Sequence, residues 1–311
     1  MDFYAALEDI VNQIPKGRVS FASDVAEALG DKAAAVSLPS SLRRIHPRCK
    51  AAGRVIRADG TRMVDSIKRE PRRDGLAVSD SRTVNSEDQL FRRFVSRYPL
   101  RRLRQSQIRM SRSVILKDTL RDPDIVAGVD VSYDGDRAFA AAVAMSAKSL
   151  KILSTATIKL EVDFPYVPGY LAFREFPPMI KALRTLEIKP QLVFVDGHGV
   201  LHPARYGVAC EVGLRAGIPA IGVGKSHLVG EFDSKKLDDG GAAAVKIGGR
   251  ILGYALRTSN SSKPIFVSPG NMISVKTAAR ITKRFCLNRI PEPIRLADSI
   301  AMEKRKEKSR L

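Results

Sequence analysis

Ile125-Val126-Ala127-Gly128-Val129-Asp130-Val131-Ser132 and Leu192-Val193-Phe194-Val195-Asp196-Gly197-His198-Gly199 are the two stretches on which the fold turns. Each is a short apolar run, of the kind that is buried as a central strand, and each carries one carboxylate. Around them strands and helices alternate. Ala138–Met145 and Leu150–Leu160 are strand-like and form a meander with Ile125–Val131. Leu171–Leu186 reads as a helix, Leu192–Val195 as a buried strand, Ala204–Ala216 as a helix and Ile218–Val223 as another strand. Ala243–Leu256 reads as a hairpin and Ser274–Cys286 as a helix. The layout is α/β with a mixed central sheet. The charged end, Glu303–Arg310, is expected to fray.

Upstream the texture changes twice. Residues 1–63 read as a small all-α domain of three short helices with tight turns, the outline of a helix-turn-helix unit. The helices fall at Phe3–Ile14, Asp24–Leu29 and Pro39–Ile45, ended by Pro15-Lys16-Gly17, Gly30 and Pro47. Residues 64–86 read as a basic linker. Residues 87–311 form the second domain, opening on Arg92, Arg93, Arg97, Arg101, Arg102, Arg104, Arg109 and Arg112. No acid interrupts Phe91–Ser113, and an amphipathic helical entry broken near Pro99 is expected there. A solvated helix face is the plainer reading. Eight arginines without a counter-charge repel one another, however, and a phosphate backbone relieves that repulsion.

Composition agrees. The 311 residues carry 53 Lys and Arg against 33 Asp and Glu, a net charge of +20, with 44% hydrophobic residues. That excludes global disorder and points to a polyanionic partner, nucleic acid before others. No apolar run approaches a membrane span, and the acidic N-terminus does not read as a signal peptide. Three widely spaced cysteines give neither a disulfide scaffold nor a zinc ribbon, so a reducing, cytoplasmic setting is expected.

Asp130, Asp196 and Glu175, the last on the helix after Gly169-Tyr170-Leu171-Ala172-Phe173-Arg174, are the candidate catalytic acids. A single Asp at a strand end is more often a turn or cap residue. Several buried carboxylates brought together, by contrast, repel unless a divalent cation sits between them. All-oxygen ligation suits Mg²⁺, with Mn²⁺ able to substitute, and such sites hydrolyse phosphodiesters. Lys225, in Gly222-Val223-Gly224-Lys225-Ser226-His227, follows a strand and can neutralise phosphate charge.

Taken together these residues resemble the endonuclease V family, from about Leu90 to Met302. The resemblance rests on Val126–Tyr133, Pro165–Glu175, Asp196–Pro203, Gly222–Leu228, Val267–Gly270 and Pro291–Asp298. It implies a ribonuclease-H-like fold and hydrolysis of the second phosphodiester bond 3′ to inosine in DNA. It also implies metal-binding catalytic roles for Asp130, Glu175 and Asp196, and a phosphate-stabilising role for Lys225. The family's strand-separating wedge falls on Pro165-Tyr166-Val167-Pro168, and its lesion pocket on Gly169, Leu171, Gly197, Gly199 and Leu228, with His202 nearby. Two positions depart from the pattern, Asn271 and Glu211, where histidine is usual. A non-catalytic damage sensor and an enzyme for inosine in RNA stay open as alternatives.

The first sixty residues resemble the DNA-binding domain of alkylguanine-DNA alkyltransferases, a winged-helix-like module. Ile14–Val19, Val25–Gly30 and Gly53–Gly60 carry the likeness. The frame that holds the acceptor thiol in that family reads Ala51-Ala52-Gly53-Arg54-Val55, so Ala52 replaces the nucleophile beside Arg54 and no alkyl transfer is expected. The implied partner is DNA containing deaminated bases; no protein partner and no membrane are expected.

Overall fold

The computed structural model describes residues 1–64, 89–258 and 263–308. The expected linker 64–86 lies almost wholly outside them. Two compact units emerge. One comprises Met1–Gln105 with the short segment Asp163–Pro168; the other comprises Ser106–Val162 with Gly169–Leu311.

The first unit is built on α1 (Phe3–Val11), α2 (Ala22–Leu29) and α3 (Leu38–Ile45). Asp2 caps α1 by accepting from the Ala5 N–H, and α2 ends on Gly30 in the left-handed region at φ 102°. Phe3, Leu7, Val25, Leu29, Leu38, Leu42 and Ile45 form its buried interior. The all-helical expectation misses a two-stranded parallel sheet, β1 (Ser20–Phe21) with β2 (Val55–Ile56). Two-residue strands leave too little alternation in the sequence to be read. The basic segment also differs from expectation. Residues 91–98 are irregular, and α4 (Pro99–Ser111) starts at Pro99 instead of breaking there. Proline lacks only an N–H that the first turn leaves unpaired in any case.

The second unit is a mixed sheet of eight strands in the order β5-β4-β3-β6-β7-β10-β9-β8. The meander is β3 (Ile125–Asp134), β4 (Arg137–Ser146) and β5 (Ile152–Glu161), antiparallel throughout. Next come α5 (Leu171–Thr185), β6 (Leu192–Asp196), α6 (Val208–Ala216) and β7 (Ala220–Gly224). β6 runs parallel to both β3 and β7, so the sheet centre carries the βα crossovers. α7 (Ser234–Gly240), the hairpin β8 (Ala242–Ile247) with β9 (Arg250–Leu256), β10 (Ile265–Asn271), α8 (Val275–Phe285) and α9 (Glu292–Lys308) complete it.

Alternation along the central strands sorts the core. Ala127, Val129, Val193 and Val195 pack with α5 and α6 through Met179, Ile180, Leu183, Val208 and Val212. Val126, Leu192 and Phe194 pack on the opposite face against Ile281, Phe285 and Ile294 of α8 and α9. Asp130 and Asp196 continue this second alternation. The charged C-terminal stretch does not fray through Lys308: α9 continues to that residue because Ala297 and Ala301 seat on Ala141 and Val143 of β4.

Candidate active site

Parallel pairing of β3 with β6 brings two acids together. The register runs from Val126 with Leu192 to Val129 with Val195, so Asp130 and Asp196 stand side by side one step further on. Asp196 itself pairs with Val223 of β7, and Lys225 follows two residues later. The Lys225 ammonium forms an ion pair with Asp196 and lies 3.8 Å from Asp130 Oδ2. Glu175, on the first turns of α5, completes the group as an electrostatic neighbour of Asp196 and Lys225.

Burial and charge determine the protonation of this cluster. Asp130 is 6% exposed, and burial, followed by repulsion from Asp196, pushes its carboxyl up to about 9, against the opposing pull of Lys225. A hydrogen bond links the Asp130 and Asp196 carboxyls, and the Val131 N–H donates to Asp130 Oδ1 at 2.6 Å. Burial likewise raises Glu175 to about 8, with Asp196 adding to it. For Lys225 burial pulls downward, but the two aspartates outweigh it and hold the ammonium above its ordinary value.

This is a carboxylate cluster short of positive charge, relieved in part by one ammonium. Its donors are all oxygen, the set that a hard divalent cation takes. Among the described residues no three His, Cys, Asp or Glu side chains converge as a finished cage. The Lys225 ammonium occupies the space between two of the acids.

Sequence reading overlooked three further residues. Asp298, on α9, adds to the field that holds Lys225 charged. It ends the Pro291–Asp298 stretch quoted above, but in a polar helix nothing local gives it a role of its own. His198 is half-buried with its ring against Gly224: a Cβ there would lie 2.2 Å from the imidazole, so any side chain at 224 would have to displace it. Burial depresses that imidazole to about 4 and keeps it neutral. Arg174, 7% exposed, lies over the Tyr133 ring at 4.3 Å and donates to the Gly135 carbonyl at 2.8 Å. It ties the start of α5, and so Glu175, to the β3–β4 turn.

Other candidates fall elsewhere. Gly199 sits where a Cβ would lie 2.0 Å from the Pro269 carbonyl oxygen, and its N–H donates to Ser268 Oγ at 3.0 Å. Gly197 takes φ 136° and donates to Val223 O. Gly169 accepts from Gln107 Nε2 at 3.2 Å, and Leu171 opens α5. Leu228 is 42% exposed. His202 is buried in a turn, its Nδ1 accepting from the Ala204 N–H at 3.2 Å. Pro165, Tyr166, Val167 and Pro168 belong to the first unit, with Tyr166 exposed between buried Pro165 and Val167.

The two departures from the family pattern both have structural partners. Asn271 Oδ1 accepts from the Ile115 N–H at 3.1 Å. Glu211 accepts from Tyr206 Oη and, at 3.0 Å, from Arg215 Nε. In the first unit Ala52 is fully buried, and Arg54 donates to the Ile14 carbonyl at 2.8 Å. Cys49 lies 3.2 Å from Asn12 Oδ1, and burial raises its thiol, so it offers no thiolate nucleophile.

Known proteins bear on this geometry. The Endonuclease V from Thermofilum pendens is 44% identical over 210 residues, which are 66% of this chain and 88% of that protein. The crystal structure of Endonuclease V from Streptomyces avermitilis is 39% identical with a TM-score of 0.62, covering 67% of this chain and 94% of that one. Endonuclease V of Ciona intestinalis, crystallised with a 24mer DNA containing an inosine followed by a ribo-adenosine, is 29% identical with a TM-score of 0.61, covering 67% of this chain and 98% of that one. The family model of Endonuclease V matches residues 108–299, well over half of the chain, and the mixed sheet with its paired acids falls inside that range: the chain belongs to the Endonuclease V family, whose members are nucleases.

Proposed function

We propose that this protein is a DNA repair endonuclease that recognises deaminated bases, inosine foremost, and hydrolyses the second phosphodiester bond on the 3′ side of the lesion. The observation that carries the reading is the juxtaposition of Asp130 and Asp196 on parallel strands, with Lys225 against both and Glu175 beside them. Asp130, Glu175 and Asp196 are the residues that would hold Mg²⁺, or Mn²⁺ in its place; when bound, such an ion polarises the phosphate and lowers the pKa of water. Lys225, paired with Asp196 and near Asp130, would neutralise charge on a phosphate oxygen.

Tyr166 supplies an exposed ring between two prolines, suited to stack where a base has left the helix. The glycine backbone at Gly169, Gly197 and Gly199, with Leu171 and Leu228, is the proposed pocket for the rotated base; His202 holds the turn after it. By function the chain divides into residues 1–63, a linker 64–86, and 87–311. The first segment is an alkyltransferase-like module that adds sequence-independent DNA affinity, with α3 as the helix for the minor groove. Its quoted motifs, and Arg43 and Arg44 in the last turn of α3, support this.

Incubation of a 5′-labelled inosine duplex with Mg²⁺ tests the reading. A single nick that disappears in Asp130→Ala supports it; a mobility shift without a nick identifies a sensor instead. Asn271, the feature that pointed toward a sensor, is engaged by the Ile115 N–H, so its identity bears on packing. The ribo-adenosine after inosine in the Ciona complex motivates the second reading, cleavage of inosine in RNA. Competition between matched DNA and RNA strands decides between them. Deleting Met1–Ser86 is expected to weaken binding and flatten its salt dependence while single-turnover cleavage of a single-stranded inosine substrate continues. An unchanged salt slope contradicts the role given to the first module.

A further inference from the structure

The segment Asp163–Pro168 follows β5 and precedes α5 in the chain, yet its packing places it in the first unit with the N-terminal helices. The contacts are specific. Phe164, 7% exposed, meets the fully buried Phe3 ring edge-on at 5.5 Å between centroids, and Phe3 meets Tyr4 in the same manner at 5.7 Å. Asp163 Oδ1 accepts from Arg44 at 3.3 Å, and the Arg44 guanidinium lies over the Tyr4 ring at 4.2 Å. Pro165 and Val167 are buried, whereas Tyr166 between them is 56% exposed. The segment thus turns its anchors inward and presents one aromatic ring outward.

We propose that the N-terminal helices are a built-in brace for this probe, with Phe3, Phe164, Arg44 and Asp163 as positioning residues for Tyr166. The inference rests on the functional reading above, in which Tyr166 parts the strands beside inosine. A side chain that enters a base stack does work on the duplex only if its base of attachment does not recoil. Two prolines stiffen the segment along its own backbone, but they do not fix it in space. The Phe164–Phe3 contact supplies that fixed point. The Asp163–Arg44 pair is exposed on the Asp163 side, at 83%, and contributes direction more than strength. The N-terminal module then has two tasks: holding DNA and stiffening the element that opens it. Phe3, Phe164 and Asp163 act only through Tyr166, and their effect is confined to substrates that must be opened. Arg44 also lies on α3, so its variant is read with enzyme in saturating excess over DNA, where a loss of affinity does not slow the single turnover.

The test uses the full-length protein and two substrates, an inosine duplex and the same inosine strand alone. A 2-aminopurine next to the lesion reports unstacking. Phe164→Ala and Arg44→Gln are expected to slow single-turnover cleavage of the duplex about tenfold and to reduce the unstacking signal. Cleavage of the single strand should stay within about twofold, since no stack opposes the probe there. Asp163→Asn, at an exposed position that leaves the interior intact, should show the same selectivity in weaker form. Combined with Arg44→Gln it should add little, because the two act as one pair. Equal slowing on both substrates, or a duplex rate unchanged in both Phe164→Ala and Arg44→Gln, overturns the brace. A wild-type protein that cuts neither substrate brings down the nuclease reading itself, a result distinct from either of these.

Discussion

Replacing Asp130 by asparagine should abolish cleavage and make the metal-free protein more stable. The side chain is 6% exposed, and its carboxyl is raised from 3.8 to about 9, first by burial and then by Asp196. At pH 7 the fold must therefore take up a proton that the unfolded chain has released. At about 1.4 kcal/mol per pH unit, the interval from 3.8 to 7 bounds the cost at about 4 kcal/mol. Asparagine keeps the Val131 N–H bond and can donate to Asp196, as the protonated acid does, without needing the proton. The protonated acid carries no charge for Lys225 to attract, so the variant loses nothing there. The amide replaces the carboxyl's hydrogen bonds imperfectly, and a net gain of about 1–2 kcal/mol is expected, or a few degrees in Tm.

The sign follows from a folded pKa above the unfolded one. The penalty on wild type is absent below pH 3.8, grows as pH rises and levels off near 9. Melts in EDTA at pH 4, 7 and 8.5 should therefore show the advantage of Asp130→Asn widening with pH. Mg²⁺ should narrow it, since an ion at 100 times its Kd stabilises wild type by about 2.7 kcal/mol and has lost a ligand in the variant. A variant that melts below wild type at pH 8.5, or a gap that ignores pH, refutes the reasoning.

Lys225→Ala should lower kcat about 10²–10³-fold, the usual cost of losing one charge-stabilising donor, with duplex affinity little changed; a rate within about twofold of wild type removes the phosphate role. Gly199→Ala places a methyl 2.0 Å from the Pro269 carbonyl oxygen, a backbone atom that cannot step aside. About 3 kcal/mol of destabilisation is expected in urea unfolding, and an unchanged midpoint would contradict the close approach. Asp118 accepts from the Ser274 N–H, Ser274 Oγ and Thr277 Oγ1; burial alone would raise it, but these bonds outweigh burial and hold it below the usual range. Its contribution is thus present above about pH 3.9 and lost as pH falls through the depressed value, so Asp118→Asn should cost stability at pH 6 and little at pH 2 in equilibrium unfolding.

The local order of this molecule was readable from its residues. Apolar runs announced β3, β4, β6 and β7, and helical spacing announced α5, α6 and α8, since burial imposes a period on each element separately. The acids at the ends of such runs announced themselves by being costly to bury alone. β10, α7 and the last helix did not, because Pro269-Gly270 interrupts the first and charged residues dominate the others. Only the tertiary structure determined which acids meet. That depends on the parallel register of β3 with β6, a pairing between segments far apart in sequence, and nothing local to either strand encodes it. The same is true of Asp298, of the neutral His198 behind Gly224, and of a loop after β5 that packs with the N-terminal helices. Periodicity reports the face that each element buries; the partner it buries that face against is decided when the chain closes on itself.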